Sequence, residues 1–283
     1  MVLAAVVVLY RPDKESFLQS IQSYATGMDF VFVMDNSENP DSTLLEELSR
    51  FSNVRYQAFG ENKGLSKAMN RGVRLALEQK ADWILLMNQD SVFLENPLPE
   101  YRKWMKEDVS LLAPKYSTFK KKEEKGEGVS RLSFAQTSGS FLSKKCFEEI
   151  GFFDENLFLE WVDVDYCLRL EKAGKKLLQV NSVVLDHLPG TPRKVRVLWK
   201  EVQYSSYSPL RKYYLVRGAC YMRKKFHCPS LYLKMRIKLW IKMYVFREKD
   251  LIISRRYIRQ AKIDFRKGIR GPLKNPPSIR SKH

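Results

Sequence analysis

Uncharged apolar runs recur through the first third of the chain, and they constrain its fold more than any other feature. The clearest are LAAVVVLY at 3–10, FVFVM at 30–34, which is followed by Asp35, and ILLM at 84–87. Continuous runs of this length are typical of strands buried on both faces of a parallel sheet. Helical segments separate them, and VRYQAF at 54–59 supplies a further strand. The alternation predicts an α/β fold with a mainly parallel central sheet.

Charge divides the chain into two regions. Residues 1–190 carry 24 Lys and Arg against 28 Asp and Glu, whereas residues 191–283 carry 26 against 4. The net charge of +18 therefore arises entirely in the last third. A strongly basic region joined to a mildly acidic one indicates an anionic partner. We expect one domain at 1–190, followed by a basic, mainly helical region at 191–283.

The segment LYLKMRIKLWIKMYVF at 231–246 predicts an amphipathic helix in the basic region. Lys234, Lys238 and Lys242 recur every four residues among apolar and aromatic residues, which predicts one basic stripe. Such a pattern is typical of a helix lying on anionic lipid, although a charge run is often just a solvated face. A nucleic-acid interface is a third interpretation, but the sequence contains no recognisable nucleic-acid-binding module.

Two further features concern the compartment. The apolar N-terminal run lacks a basic leader and a cleavage site, and it is too short to span a bilayer, so we expect a buried strand. The four cysteines show no CxxC motif or regular spacing. They predict reduced, structural thiols in a cytosolic protein.

Polar residues follow the predicted strands where α/β sheets bind ligands. Asp35 ends the second strand and Asp90 follows the fourth, in the stretch NQDS. Ligands of open α/β sheets bind at the carboxyl ends of strands, although Asp is also common in turns and caps. The stretch ENKGLSKAMNRGV at 61–73 opens a predicted helix and suits a phosphorylated ligand. It matches neither a Walker loop nor GxGxxG.

A third stretch, GFFDENLFLEWVDVDYCLRLEKAGKKL at 151–177, crowds carboxylates at a helix start. Glu160, Asp163 and Asp165 there favour the helix dipole, which is one explanation for them. Their apolar and aromatic neighbours indicate partial desolvation, which suits a general base. His187, in LDHLPG, ends a strand and is interpreted as a structural residue or a ligand.

Seven stretches in fixed order resemble glycosyltransferase family 2 and, within it, the rhamnosyltransferase-like branch. They are VVVLYRP, MDNS, NKGLSKAMNRG, LLMNQDS, SGSFLS, GFFDENLFLEWVDVDYCLR and LDHLPG. The resemblance covers about residues 2–220. It implies a GT-A catalytic domain at 1–190, with a donor-binding half at about 1–115 and an acceptor-binding half at about 116–190. It also implies inversion at the anomeric centre.

The resemblance implies donor-binding roles for a set of residues near the strand ends. These are Tyr10, Arg11, Pro12, Asp35, Asn36, Asn62, Lys63, Gly64, Lys67, Asn88, Gln89 and Asp90. Asp35 would accept a hydrogen bond from the pyrimidine base. Asp90 and His187 would hold a divalent metal, Mg²⁺ or Mn²⁺, at the diphosphate. Asn88 stands at the first acidic position of the family's metal motif, which lowers the expected metal affinity.

The resemblance also assigns the catalytic and acceptor residues. Asp163 matches the catalytic aspartate, and we expect Asp165, Glu160 and Arg169 to support it. The expected acceptor contacts are Trp161, Arg211 and Tyr214. The stretch SPLRKYYLVRG at 208–218 resembles the branch's Arg-Tyr-Tyr segment, with Gly218 where Asn is usual.

The implied activity is that of an inverting hexosyltransferase of cell-surface polysaccharide synthesis, such as that of capsule or lipopolysaccharide. The donor would be a nucleotide-diphosphate sugar, with dTDP-L-rhamnose favoured and UDP-hexose or UDP-galactofuranose as alternatives. The acceptor would be a glycan or a polyprenyl-diphosphate-linked sugar. We expect a cytoplasmic protein, peripheral on the anionic inner face of the bacterial cytoplasmic membrane, with no nucleic acid partner. A non-catalytic nucleotide-sugar-binding protein and a basic nucleic-acid-binding protein are the alternatives from other classes.

Overall fold

The computed structural model describes residues 1–118, 122–187, 191–197, 199–248, 250–274 and 276–277. The chain divides into two compact units. The first unit comprises Met1–Asp154 and Asp163–Leu188, and the second unit comprises Glu155–Val162 and Pro189–His283. The short segment just before Asp163 therefore belongs to the second unit.

A mixed sheet of nine strands forms the centre of the first unit. Its strands are β1 (Leu3–Leu9), β2 (Phe30–Asp35), β3 (Val54–Ala58), β4 (Trp83–Asn88), β5 (Val92–Phe93), β6 (Leu111–Ser117), β7 (Val129–Arg131), β8 (Ser140–Ser143) and β9 (Leu177–Asp186). The helices around it are α1 (Lys14–Gln22), α2 (Ser42–Leu48), α3 (Leu65–Glu78), α4 (Leu98–Arg102), α5 (Lys144–Glu149) and α6 (Val162–Lys172). The α/β prediction is confirmed.

Four of the strands form the parallel part of the sheet, in the order β3-β2-β1-β4. The residues of β1, β2 and β4 are almost all buried, as their apolar runs predicted, whereas those of the edge strand β3 are partly or fully exposed. The register pairs Leu9 with Asp35 and Val8 with Asn88. Since parallel strands end on the same side, these pairings bring the polar residues after β1, β2 and β4 together.

The other part of the sheet adds antiparallel pairings. Strand β8 runs antiparallel to β4 and β6, while β6 is parallel to β9. The short strand β5 pairs with the end of β9, so that Val92 lies opposite Asp186. This pairing places the turn after β4 beside the residue that follows β9, which is His187.

Local capping explains where the first two helices begin. The Asp13 side chain accepts a hydrogen bond from the Ser16 N–H, and the Asp41 side chain accepts one from the Thr43 N–H. Both arrangements satisfy a helix N–H that has no partner within the helix. Asp41 is therefore the cap of α2.

The second unit is mainly helical and contains one β-hairpin. Its elements are β10 (Thr191–Val197), β11 (Lys200–Ser206), α7 (Pro209–Phe226), α8 (Pro229–Trp240), a π-helical turn (Ile241–Val245) and α9 (Leu251–Arg266). Its buried core includes Tyr213, Val216, Leu239 and Ala261. In the described part of the chain, no helix combines the length and the apolar character needed to cross a bilayer.

The predicted basic stripe on α8 is wrong at its third position. Lys234 and Lys238 are exposed, but Lys242 is buried. Its ammonium group donates a hydrogen bond to the Ser205 carbonyl and lies 4.1 Å from the centre of the Tyr207 ring. Each step of four residues advances about 40° around an α-helix, so two steps turn the third lysine toward the packed face.

Candidate active site

The structure places the predicted donor-binding residues in the first unit, at the ends of β1, β2 and β4 and around the start of α3. The set is Tyr10, Arg11, Pro12, Asp35, Asn36, Asn62, Lys63, Gly64, Lys67, Asn88, Gln89 and Asp90. Parallel register and short turns thus bring together residues that are up to 80 positions apart in the sequence. Their donor-binding roles stay predictions.

Asp35 is a buried carboxylate at the end of β2, with 1% of its surface exposed. One of its oxygens accepts a hydrogen bond from the Ser37 N–H (2.7 Å), and the other accepts one from the Tyr56 hydroxyl (2.6 Å). Burial raises the pKa of Tyr56, and the bond to Asp35 and its charge raise that pKa further. Tyr56 therefore stays protonated and donates to the carboxylate. Sequence reasoning missed both partners.

The loop before α3 is held by the side chain of Asn36. Its amide oxygen accepts a hydrogen bond from the Lys63 N–H, and its amide nitrogen donates to the Gly64 carbonyl, both at 3.2 Å. Gly64 has φ +86°, in the left-handed region that favours glycine, and its N–H donates to Asn62. The exposed Lys67 lies in the first turn of the helix. The loop thus fixes a helix start that suits a phosphate group.

The ends of β1, β2 and β4 are tied together through Tyr10 and Arg11. The Tyr10 N–H donates to the Gln89 side chain (2.8 Å), and the Arg11 N–H donates to the Ser37 hydroxyl (2.8 Å). Arg11 has φ +46° and forms an ion pair with Glu38. A backbone hydrogen bond, followed by Arg11 and Tyr10, lowers the pKa of Glu38, which stays ionised at this edge.

A chain of hydrogen bonds links the NQDS turn to His187. The Asn88 N–H donates to the Ser138 hydroxyl (3.1 Å), which donates to the Ser91 hydroxyl (3.0 Å). The Ser91 hydroxyl lies 2.8 Å from Nδ1 of the buried His187. These contacts fix the imidazole ring beside the turn that carries the exposed Asp90. Ser91 and Ser138 were not predicted, because small polar residues carry little signal alone.

The donor chemistry of this turn fits a metal that is shared with a substrate. Within the described residues, no group of three or more His, Cys, Asp or Glu side chains could hold a metal ion. Asp90, Asn88 and His187 instead offer one carboxylate, one amide oxygen and one imidazole. Mg²⁺ is commonly held by one or two carboxylates together with substrate phosphates and water. This set therefore fits a cation whose remaining ligands come from a diphosphate.

Asp163 lies at the start of α6 and is half-buried. Burial raises the pKa of Tyr116, the hydrogen bond with Ser140 opposes this increase, and the charge of Asp163 adds to it. The Tyr116 ring is edge-on to His187, with ring centres 6.3 Å apart. Tyr116 thus lies within the field of Asp163 and against His187. Tyr116, which the sequence did not single out, thus contacts the ring that is hydrogen-bonded to the NQDS turn and also responds to the charge of the predicted base.

Asp165 and Arg169 hold the start of α6 in place. Asp165 is fully buried, and one of its oxygens accepts a hydrogen bond from Arg169 Nε at 2.9 Å. The two terminal nitrogens of Arg169 donate to the carbonyl groups of Ile150 (3.0 Å) and Phe152 (2.9 Å). This network ties α6 to the preceding loop. Both residues are therefore suited to positioning Asp163.

Trp161 occupies a strained position in the second unit. It has φ +74°, which is rare for a bulky residue, and its indole N–H donates to the Leu215 carbonyl at 2.8 Å. A Cβ atom on Gly218 would lie 2.6 Å from the indole ring. Glycine at 218, where the resembling branch has Asn, therefore leaves room for Trp161.

The other predicted acceptor residues also lie in the second unit. Arg211 forms an ion pair with Glu160 and stacks on the Tyr207 ring at 4.5 Å. The Tyr214 ring stacks on Phe158, with ring centres 4.7 Å apart. The structure thus brings Glu160 to Arg211, within the second unit. The acceptor roles of Trp161, Arg211 and Tyr214 remain predictions, as does the support of Asp163 by Glu160.

Comparisons with known protein sequences add to this geometry. The family model described as glycosyl transferase family 2 matches residues 14–165, more than half of the chain. The dTDP-rhamnosyl transferase RfbF of Shigella flexneri is 28% identical over 246 residues, covering 80% of this chain and 81% of that protein. The low-salt glycan biosynthesis hexosyltransferase Agl10 of Haloferax volcanii is 21% identical over 283 residues, covering 88% and 86%.

Among solved structures, GalNAc-T7 with UDP, GalNAc and Mn²⁺ has the same fold, with a TM-score of 0.56 and 14% identity. The match covers 76% of this chain, which spans 47% of that structure's length. At this identity the likeness concerns the fold alone. The predicted GT-A architecture is confirmed.

Proposed function

Because the chain belongs to glycosyl transferase family 2, we propose that it transfers L-rhamnose from dTDP-L-rhamnose to a hydroxyl group of a glycan or lipid-linked acceptor. The family match and both relatives establish a glycosyltransferase. The choice of rhamnose rests on the Shigella flexneri relative. A hexose donor is the second candidate, because the Haloferax volcanii relative is a hexosyltransferase.

One observation carries the proposed reaction. The charge of Asp163 acts on Tyr116, and the Tyr116 ring packs against His187, which is hydrogen-bonded to the NQDS turn. A half-buried carboxylate and a turn suited to a diphosphate therefore share one edge of the sheet in the first unit. This is the arrangement that a single displacement on a nucleotide sugar requires.

In the proposed mechanism, Asp163 acts as the general base. It takes the proton of the acceptor hydroxyl while that oxygen forms a bond to the anomeric carbon. The bond from the anomeric carbon to the diphosphate oxygen breaks, and dTDP leaves with the electron pair. General base catalysis contributes about 10²–10⁴-fold to such a step. Because attack and departure occur on opposite faces, the configuration inverts.

The residues of the turn would bind the leaving group. Asp90 and His187, with Asn88, would hold Mg²⁺ or Mn²⁺. When bound, such an ion neutralises charge that develops on the diphosphate. Ser91 orients the His187 ring, and Lys67 with the N–H groups at the start of α3 adds further positive potential. Asp35 and Tyr56 would border the pyrimidine base through the lone pairs that their mutual bond leaves open.

We further propose that the second unit contacts an anionic membrane surface, such as the inner face of the bacterial cytoplasmic membrane. On α8, Ile237 and Trp240 are exposed next to Lys234 and Lys238. Apolar and basic residues combined on one helix are typical of interfacial binding. Co-sedimentation with anionic and with neutral vesicles tests this. Binding that is equal for both kinds of vesicle, or absent, would remove the proposal.

A thermal-shift panel of nucleotide sugars tests the donor, since a ligand that binds the folded state raises its stability. We expect dTDP-L-rhamnose with Mn²⁺ or Mg²⁺ to raise the melting temperature more than UDP-hexoses, UDP-galactofuranose or any donor with chelator. Transfer to a glycan acceptor, followed by mass spectrometry, then tests the reaction. A larger shift and transfer with a UDP-hexose would favour the second candidate. Binding without transfer or hydrolysis would instead indicate a non-catalytic protein.

A further inference from the structure

A strongly basic cavity of about 550 Å³ lies within the second unit, between α7 and α9. It is lined by Cys220, Arg223, Lys224, His227, Tyr232, Lys262, Phe265 and Arg266. Half of these side chains are Lys or Arg. Such side chains bind phosphate through charge-assisted hydrogen bonds, and arginine does so with two bonds at once. The cavity therefore suits a phosphate group.

Within the part of the chain that the structure describes, no carboxylate neutralises the charges around this cavity. In the described ranges, none of the four cations Arg223, Lys224, Lys262 and Arg266 is paired with a carboxylate. Burial raises the pKa of the Cys220 thiol, and the charges of Arg223, Lys262 and Arg266 oppose that increase. Three of the four cations therefore affect the pKa of the same thiol.

The nearest acidic residue on α9 is engaged elsewhere. Asp264 is buried and accepts hydrogen bonds from the Tyr213 hydroxyl (2.6 Å) and the Gln260 amide (2.7 Å). It does not line the cavity. Lys262 and Arg266, the two cavity cations on α9, therefore have no acidic residue of α9 beside them in the cavity lining.

A mainly apolar groove of about 530 Å³ lies along α8 and α9, with Arg236, Arg255 and Arg259 also in its lining. The cavity and the groove share Tyr232 and Lys262. The groove is bordered by Leu233, Ile237 and Trp240, whose surfaces are 54%, 51% and 57% exposed. From Tyr232 to Tyr244 the helix extends about 18 Å. A single ligand would thus place its polar head in the cavity and its hydrocarbon chain in the groove.

We propose that the cavity and groove together bind one lipid diphosphate, with the diphosphate between α7 and α9 and the chain along α8. Four cations exceed what the single charge of a phosphodiester headgroup would balance, whereas a diphosphate brings at least two charges. This inference rests on the proposed function, because a lipid-linked acceptor carries such a group. It deepens that function by assigning the lipid to the second unit.

Isothermal titration of the full chain with farnesyl diphosphate tests the proposal, with saturating dTDP present to occupy the donor site. Inorganic pyrophosphate and farnesol serve as the head and the chain alone. We expect farnesyl diphosphate to bind at least about tenfold more tightly than either part, because both regions contribute. Equal affinity for farnesyl diphosphate and pyrophosphate, or no binding of either, would overturn the proposal.

Matched variants separate a built site from general attraction. Arg223→Gln with Lys262→Gln removes two charges from the cavity, and we expect it to weaken farnesyl diphosphate binding about tenfold or more. Lys80→Gln with Lys106→Gln removes the same charge from exposed positions of the first unit, outside the cavity, and we expect no change. An equal loss in both double variants would contradict the proposal. Titration with dTDP alone distinguishes a failure of the proposed function from a failure of the lipid site. If the proposed function is wrong, dTDP does not bind, whereas farnesyl diphosphate binding can persist.

Discussion

The strand ends of the first unit and the outer face of α8 in the second unit hold their polar residues in different ways. In the first unit, the polar residues of the strand ends are locked by short hydrogen bonds, as at Asp35 with Tyr56 and at Ser91 with His187. In the second unit, cations such as Lys234 and Lys238 lie exposed beside exposed apolar side chains. The first arrangement fixes the geometry of the side chains proposed to act in the reaction, and the second leaves basic and apolar side chains exposed on the surface proposed to bind membranes.

This difference predicts where substitutions act. A conservative change at the ends of β1, β2 and β4 should lower turnover while the fold persists, because the proposed donor would bind there. A change on the surface of the second unit should alter binding to anionic surfaces and leave chemistry intact. Five experiments test this contrast, from the largest expected effect to the smallest.

Asp163→Asn should give the largest effect. The amide cannot accept the proton of the acceptor hydroxyl, so we expect the rate of sugar transfer to fall by about 10²–10⁴-fold. Donor binding by titration should remain near normal, since the change keeps the shape of the side chain. Glu171→Gln, at an exposed position of the same helix, is the control and should transfer normally. A near-normal rate for Asp163→Asn would assign the base role to another residue.

Lys212→Met should destabilise the second unit. Lys212 and Glu248 form a buried ion pair, and Lys212 Nζ also donates to the Ser254 hydroxyl at 3.0 Å. Removing one partner leaves a buried charge, which costs about 3–5 kcal/mol of unfolding free energy. Urea denaturation followed by fluorescence measures this. Lys212→Met with Glu248→Leu should recover much of the loss, and a single variant of normal stability would show that the pair is unimportant.

Ser91→Ala should weaken the response to metal. It removes the hydrogen bond that orients the His187 ring, and loss of such an outer contact typically costs about 10–100-fold in metal affinity or activity. The Mn²⁺ concentration that gives half-maximal transfer should rise accordingly, while chelator abolishes transfer in both proteins. Ser49→Ala, at an exposed position far along the sequence, serves as the control. An unchanged metal response would show that the orientation of His187 does not affect metal binding.

Lys234→Glu with Lys238→Glu should lower affinity for vesicles that contain anionic lipid. Each basic residue near such a surface contributes about 1 kcal/mol, and reversal of its charge should cost at least that much. Co-sedimentation measures the partition, and neutral vesicles provide the comparison. The rate of transfer to a soluble acceptor should stay normal. Unaffected vesicle binding would show that these two lysines do not hold the second unit on anionic membranes.

Thiol labelling should give the smallest effect and distinguishes the units directly. Burial raises the pKa of Cys146 to about 11 and of Cys167 to about 12, so both thiols of the first unit should resist iodoacetamide near neutral pH. The hydrogen bond with the Ser230 hydroxyl, followed by the Leu231 N–H, lowers the pKa of Cys228 in the second unit. Mass spectrometry should therefore find Cys228 alkylated first. Faster labelling of Cys167 would show that α6 opens readily.

Much of the first unit was predictable because local rules and tertiary structure agree there. Apolar runs predicted β1, β2 and β4. Asp35 and Asp90 were predicted to follow parallel strands, where α/β sheets bind ligands, and the structure places them at strand ends. The contribution of Tyr56, Ser91, Ser138 and Tyr116 was not predictable, since these contacts depend on side chains brought together by the sheet. Single hydroxyl groups leave no spacing pattern.

In the second unit, prediction succeeded for helix content and failed for the direction of side chains. The four-residue spacing of Lys234, Lys238 and Lys242 ignored the drift of a 3.6-residue helix, so the third lysine is buried. The strain at Trp161 and the space left by Gly218 were not predicted either, because they depend on two segments that are about 57 residues apart. Hydrophobic pattern alone does not report such pairings.

A crystal structure of Asp163→Asn with intact dTDP-L-rhamnose and Mn²⁺ tests the central claim most directly. The account predicts that the diphosphate lies at the turn of Asp90, beside His187, with the anomeric carbon facing the side chain at position 163. A nucleotide sugar bound away from the ends of β1, β2 and β4, or with its anomeric carbon turned from α6, would contradict it.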